Sequence, residues 1–263
     1  MLANFDRVSR FCIAMGLAFA VGTNAYAQTT NQSTSKAKAE QTEPKTQTSD
    51  KSSKTAQAKP AAKPKRIVSI SGGRTRLNAR HWPLLGKPDA KYIFVEMFDY
   101  TCPHCKNTHR AVSGAFKTMG DDLAILALPV PLNNSCNSTV RVTNAKHAEA
   151  CEIARIAIAV WRCNPSKFHT FHDWMFEAPN ARTAFDARNK GAALVGKEKL
   201  DKELAKPYAS QYIAKHVQLY QRAGSGTVPK MLFPRSTING EIVQSSTLVN
   251  IIKQQLPNQQ PAK

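Results

Sequence analysis

Four residues of this sequence, Cys102-Pro103-His104-Cys105, can do more chemistry than any others in it. Two cysteines two residues apart can close a small disulfide and reopen it. If they open a helix, the first sulfur faces unpaired backbone N–H groups and the positive end of the helix dipole, which favours the thiolate. His104 adds a donor or cationic neighbour that lowers the thiol pKa further. A low-pKa thiol is a ready nucleophile and a good leaving group, so the dithiol is stabilised and the disulfide becomes a strong oxidant. Rival uses are less well supplied. Zinc sites usually bring a second ligand pair, and no second C-x-x-C or C-x-x-H lies downstream. Copper held by the two thiolates with His104 or His109 is an alternative chemistry. A purely structural bridge gives no reason for Pro and His between its cysteines.

The neighbouring pattern provides the helix start. Residues 92–98 (YIFVEMF) form a nearly continuous apolar run, as expected of a strand buried on both faces. Pro103 fits the first turn of a helix, where a missing N–H costs little, and the pattern runs to about Met119. Residues 123–128 (LAILAL) read as a second buried strand ended by Pro129 and Pro131, and strand–helix–strand implies a parallel pair. Residues 67–70 read as a short strand. From about residue 140 to 223 the signal is helical: residues 145–161, 181–194 and 199–222, with a break at Pro207. Strand character returns at residues 231–233. Asn239-Gly240 signals a hairpin turn with residues 241–243 as the partner strand, and residues 246–256 close as a helix.

The ends of the sequence suggest an address. Arg7 and Arg10, an apolar stretch from Phe11 to Gly22 and Ala25-Tyr26-Ala27 together read as a secretory signal cleaved after Ala27. Residues 28–66, rich in Thr, Gln, Ser, Ala, Lys and Pro, lack the apolar content to offset the entropy of ordering and read as a disordered basic linker. The globular part is then residues 67–263, in an oxidising compartment where cysteines form disulfides. The chain has 37 Lys and Arg against 18 Asp and Glu, a net charge of +19. That excess permits anionic partners, but the basic residues follow no RNP-like or zinc-finger pattern, so no nucleic acid is expected.

Residues 98–105 (FDYTCPHC) after an apolar strand, then a helical insertion, then Gly226-Thr227-Val228-Pro229 before a strand, resemble the DsbA-like thiol:disulfide oxidoreductases of the bacterial envelope. The resemblance covers roughly residues 67–256 and implies an α/β, thioredoxin-like fold with an inserted helical subdomain. It implies that Cys102 is the partly exposed nucleophile and Cys105 the buried resolving cysteine. Pro229 would match the family's cis-proline and leave the backbone of Val228 free to pair with an extended substrate segment. Glu96, six residues before Cys102, would match the buried acid that relays a proton to or from the resolving cysteine. The expected activity is introduction of disulfides into thiol-containing exported proteins in the periplasm, by a monomer. A membrane redox partner would regenerate the active-site disulfide, with no cofactor and no metal. A disulfide isomerase or reductase of the same fold is the alternative within the class.

The remaining cysteines and histidines receive smaller parts. Cys151 and Cys163 lie 12 residues apart on one predicted helix, about 18 Å at the helical rise, beyond disulfide reach. Cys136 can pair with either. The shorter loop, and similar loop-to-helix pairs among relatives of the resembled family, favour Cys136–Cys151. Cys163 is then a free thiol behaving as a small hydrophobe. His169 and His172 sit among Phe168, Phe171, Trp174 and Phe176, which reads as helix packing.

Overall fold

The computed structural model describes residues 64–257; the signal sequence read at 1–27 and nearly all of the linker read at 28–66 lie outside them. The centre is a five-stranded sheet in the order β3-β5-β4-β6-β7, with β3 at Leu84–Gly86, β4 at Tyr92–Phe98, β5 at Leu123–Pro129, β6 at Lys230–Leu232 and β7 at Thr237–Asn239. A separate hairpin pairs β1 (Ile67–Ile70) with β2 (Thr75–Asn78). Strands β4 and β5 run parallel in register from Tyr92 opposite Leu123 to Phe98 opposite Pro129, and the other neighbours in the sheet are antiparallel.

The apolar runs explain the centre of that order. Phe94, Val95 and Met97 of β4 and residues 123–128 of β5 are fully buried, so both strands need cover on both faces and take interior places. Phe94 stacks on Phe233 at 5.1 Å between ring centroids. Burying side chains of this size contributes about 1.5–3 kcal/mol each. Helix α1 (Pro103–Met119) connects the parallel pair. Proline at its first position lacks only an N–H that no intrahelical carbonyl would accept. Gly120, at φ 55°, ends it through its N–H to the Phe116 carbonyl. Helix α1 packs along α7 (Ser245–Gln255), so closely at Gly114 that a Cβ there would meet Ser245 at 2.5 Å.

Five helices stand between β5 and β6: α2 (Ala150–Cys163), α3 (Pro165–Glu177), α4 (Ala184–Val195), α5 (Lys197–Leu204) and α6 (Tyr208–Arg222). Thr183 and Asp186 cap α4 reciprocally. Helix α2 is buried over most of its length, with Ile153, Ile156, Ile158 and Val160 at its centre. It starts five residues later than the apolar pattern suggests, because Asn144 caps a separate 3-10 turn over Ala145–His147.

Two further expectations are corrected. The hairpin joining the last two strands turns upstream of Asn239-Gly240: Phe233 donates its N–H to the Ser236 carbonyl at 2.9 Å, and Asn239 is the last residue of β7. Residues 241–243 form no strand. Side-chain partners on α1 take them instead, Glu241 going to His104 and the Ile242 N–H to Thr108 Oγ1 at 3.0 Å. Arg66, counted with the linker from its composition, is buried in the domain. Its guanidinium donates to the Ala90 carbonyl at 2.9 Å, and its own carbonyl accepts from the Ala79 N–H.

Candidate active site at the start of the first helix

Cys102 is the residue that caps α1, with extended backbone angles (φ −85°, ψ 120°) and no side-chain cap. The turn from β4 is closed by its N–H donating to the Asp99 carbonyl at 3.2 Å. With no capping oxygen present, the Cys102 sulfur occupies the place where the first N–H groups of the helix converge. A hydrogen bond from the Cys105 thiol and backbone N–H groups of Cys105 and His104 outweigh burial, and the Cys102 pKa falls to about 6. Cys105, 1% exposed, is pushed well above the ordinary thiol range, first by burial. The Asp99 N–H donates to its sulfur at 3.4 Å. One thiol is therefore a thiolate at neutral pH, and the other is held protonated as its donor.

Cys102 is more enclosed than a partly exposed nucleophile, at 5% exposure. Its sulfur lies 3.9 Å from the carbonyl of Val228, whose bond to Pro229 is cis. Cys102 also borders a cleft of about 240 Å³ walled by Tyr100, Met175, Phe176 and Pro179. Beneath that wall Phe98, Tyr100, His172 and Phe176 pack edge to face, and the Tyr100 hydroxyl lies 3.1 Å from His172 Nδ1. His172 is thus part of the packing, as its aromatic neighbours in sequence imply.

His104 acts on the Cys102 thiolate through its backbone N–H and, when protonated, through its charge. Its backbone N–H is among the groups that hold the Cys102 thiolate, while its exposed imidazole Nδ1 lies 2.6 Å from Glu241 Oε2. That contact, and then the Cys102 charge, raise the imidazole pKa. Nothing in the local pattern singles out Glu241, which reads there as a strand residue.

Asp99 was also missed. It is 2% exposed and accepts from the Thr101 N–H and the Leu132 N–H, each at 2.5 Å, and from the Thr101 hydroxyl. Thr101 Oγ1 in turn lies 2.6 Å from His147 Nδ1. The D-x-T spacing before the first cysteine is the signal that could have exposed it, since an Asp bonding two residues on is a turn device. Glu96 is 3% exposed, burial raises its pKa to about 8, and its Oε2 has no hydrogen-bond partner among the described residues. Its charge acts on Tyr100, whereas Asp99 is the carboxylate whose charge raises both thiols.

Cys136 is joined to Cys151 with Cα atoms 6.0 Å apart, tying the loop after β5 to the first turn of α2. Cys163 is a free thiol, half-buried beside the Lys199 carbonyl. Among the described residues no group of three or more His, Cys, Asp or Glu side chains is placed to hold a metal ion.

A family model described as thioredoxin matches residues 79–254. No curated protein matches the sequence. The fold is similar to that of BdbD from Bacillus subtilis in its oxidised form (TM-score 0.54, 19% identity, 74% of this chain and 99% of that one). It is also similar to the thiol-disulfide exchange protein α-DsbA2 from Wolbachia pipientis (TM-score 0.52, 16% identity, 66% and 87% covered). The catalytic domain of ScsC from Proteus mirabilis matches with TM-score 0.53, 20% identity and 67% and 89% covered.

Proposed function

This chain belongs to the thioredoxin family; on that premise we propose that it is a thiol:disulfide oxidoreductase that introduces disulfides into exported proteins, with Cys102 as nucleophile and Cys105 as resolving cysteine. The observation that carries the reading is the asymmetry of the two sulfurs: a thiolate held by helix-start N–H groups beside a buried thiol that donates to it. In the oxidised protein the two are joined. A substrate thiolate attacks the Cys102 sulfur, and the Cys102–Cys105 bond breaks with its electron pair going to Cys105, which takes up a proton. A second substrate thiolate then attacks its own sulfur in the mixed disulfide and releases Cys102 as a thiolate. Two electrons pass from the substrate dithiol to the protein, and a membrane oxidant of the disulfide or quinone class must remove them to restore the Cys102–Cys105 bridge. The low pKa of Cys102 makes it the better leaving group in the second step, which drives electrons from substrate to protein.

Val228, with its carbonyl facing the Cys102 sulfur, and the cis Pro229 beside it would align an extended substrate segment. Glu96 would exchange the proton that Cys105 takes up and releases. The compartment would be the periplasm, reached through the signal sequence at 1–27, with residues 28–63 as a tether. No dissociable cofactor enters the cycle.

The reading is tested by mixing the oxidised mature protein with a reduced two-cysteine peptide and trapping thiols with time. The expected result is loss of two peptide thiols for each Cys102–Cys105 pair reduced. Cys105→Ala, which cannot form that bridge, is given a single-cysteine form of the peptide as its disulfide dimer: the Cys102 thiolate attacks one peptide sulfur and releases the other peptide as a thiol, so a mixed disulfide should accumulate on Cys102 in Cys105→Ala and none should form in Cys102→Ala. A peptide left reduced, with no mixed disulfide in Cys105→Ala, would overturn it. Thiol trapping in cells separates direction: a mostly oxidised pair supports the donor, a mostly reduced pair the isomerase or reductase.

A further inference from the structure

The cleft beside the nucleophile has a charge of one sign. Apart from its apolar wall it is bordered by Thr101, Cys102, Asn180 and two lysines, Lys106 and Lys146, and by no Asp or Glu. The lysines are fixed differently. Lys106, on the first turns of α1, spends two of its three donors on the Ala178 and Pro179 carbonyls and so pins the far wall of the cleft to the helix. Lys146 lies on the 3-10 turn before α2 and is exposed, and its ammonium has no hydrogen-bond or ion-pair partner among the described residues.

The backbone of Lys146 is nevertheless anchored. Its N–H donates to the Asn144 side chain at 3.1 Å. The next residue, His147, meets the hydroxyl of Thr101 at 2.6 Å, and Asn133 Nδ2 donates to the carbonyls of His147 and Ala148 at 3.1 and 2.8 Å. Thr101 precedes Cys102, so this turn is tied to the nucleophile's own backbone. A cation carried on that anchored turn, with no ion-pair partner among the described residues and bordering a cleft with an apolar wall, is complementary to an anion beside the reacting cysteine of a substrate.

We infer that this cleft selects substrate segments with an acidic residue next to the cysteine, and that Lys146 is the residue that reads that charge. The inference rests on the disulfide-exchange reading of Cys102 and deepens it by naming the class of segment exchanged. An acidic neighbour also raises the pKa of its own cysteine and slows it intrinsically, so a surface offering only apolar contact would react more slowly with such segments. The preference here runs the other way.

The test uses the oxidised mature protein and three reduced peptides identical except for Glu, Gln or Lys beside the cysteine. Each rate is divided by the rate of the same peptide with neutral hydroxyethyl disulfide, which removes the intrinsic difference. The Glu peptide should exceed the Lys peptide about fivefold at low salt, the size expected of one cation at the edge of a binding surface, and the ratio should approach one near 1 M salt. Lys146→Arg should keep the ranking and Lys146→Glu should reverse it. Lys117→Glu makes the same change in net charge at the far end of α1, about 20 Å away at the helical rise, and should leave the ranking as it is. A normalised ratio of one in the unaltered protein, or a ranking that Lys117→Glu shifts as much as Lys146→Glu does, would overturn the inference while leaving the exchange activity intact. Failure of all three peptides to react would overturn the exchange reading and this inference with it.

Discussion

The two active-site thiols share one fragment of helix yet titrate in opposite directions, because one receives hydrogen bonds at a helix start and the other is cut off from water. The Cys102 pKa of about 6 is set first by the Cys105 thiol. In reduced protein, Cys105→Ala should therefore raise it toward the ordinary value near 8.5, measured by thiolate absorbance at 240 nm or by the pH dependence of alkylation. A thiol whose folded pKa is depressed contributes stability that is present above its unfolded pKa and lost as pH falls through about 6. The reduced protein should thus lose thermal stability relative to the oxidised protein as pH drops from about 8.5 to below 6, which paired melting curves would show. His104 reports on the same charge. Its pKa is raised by Glu241 and then by the Cys102 thiolate, so NMR titration should find it lower in the oxidised protein and lower again in Glu241→Gln.

Strand β4 carries the site at one end and a concealed cost in its middle. Glu96 is a carboxyl in an apolar interior, with its pKa raised to about 8 by burial. A group with a raised folded pKa favours the fold fully below its unfolded pKa near 4.5 and ceases to as pH rises through the folded value. Glu96→Gln should match the unaltered protein in denaturant midpoint at pH 4 and exceed it, by up to a few kcal/mol, at pH 9. No gain at pH 9 would mean that the carboxylate has a compensating partner. Two residues earlier on the same strand, Phe94→Ala would remove a fully buried ring stacked on Phe233 and should cost about 3–5 kcal/mol at every pH. The contrast between a pH-dependent and a pH-independent effect on one strand separates electrostatic from packing contributions.

Across the whole molecule, the helical insertion has to be held in register with the sheet for residues of α3 and of the turn before α2 to border Cys102. Two connections do this close to the site: the Asp99–Thr101–His147 chain and the Cys136–Cys151 bridge at the base of the same loop. A bridge closing a 15-residue separation contributes on the order of 3 kcal/mol by restricting the unfolded chain. Replacing both Cys136 and Cys151 by Ser should lower the unfolding free energy by about that amount. It should also leave Cys102 alkylated at its usual rate at temperatures well below the melt, since the hydrogen-bonded chain remains.

Local pattern was enough for much of this. The apolar runs at 92–98 and 123–128 determined two buried parallel strands, because a strand without a polar face has nowhere else to go. Pro103 behind Cys102 determined the start of α1 and with it the identity of the thiolate. Val228-Pro229 was legible as a motif. Tertiary structure alone decided what lies across space from these residues. The Leu132 N–H reached Asp99 because β4 ends beside β5 and the loop after it. Glu241 left the expected hairpin because α1 offers it His104 and offers the next N–H the Thr108 hydroxyl. Lys146 came to the edge of the cleft because a histidine one residue later meets Thr101. Periodicity reports which face of an element is buried, whereas contacts between residues tens to more than a hundred positions apart depend on how the elements pack, and the spacing of residues along the chain does not encode that.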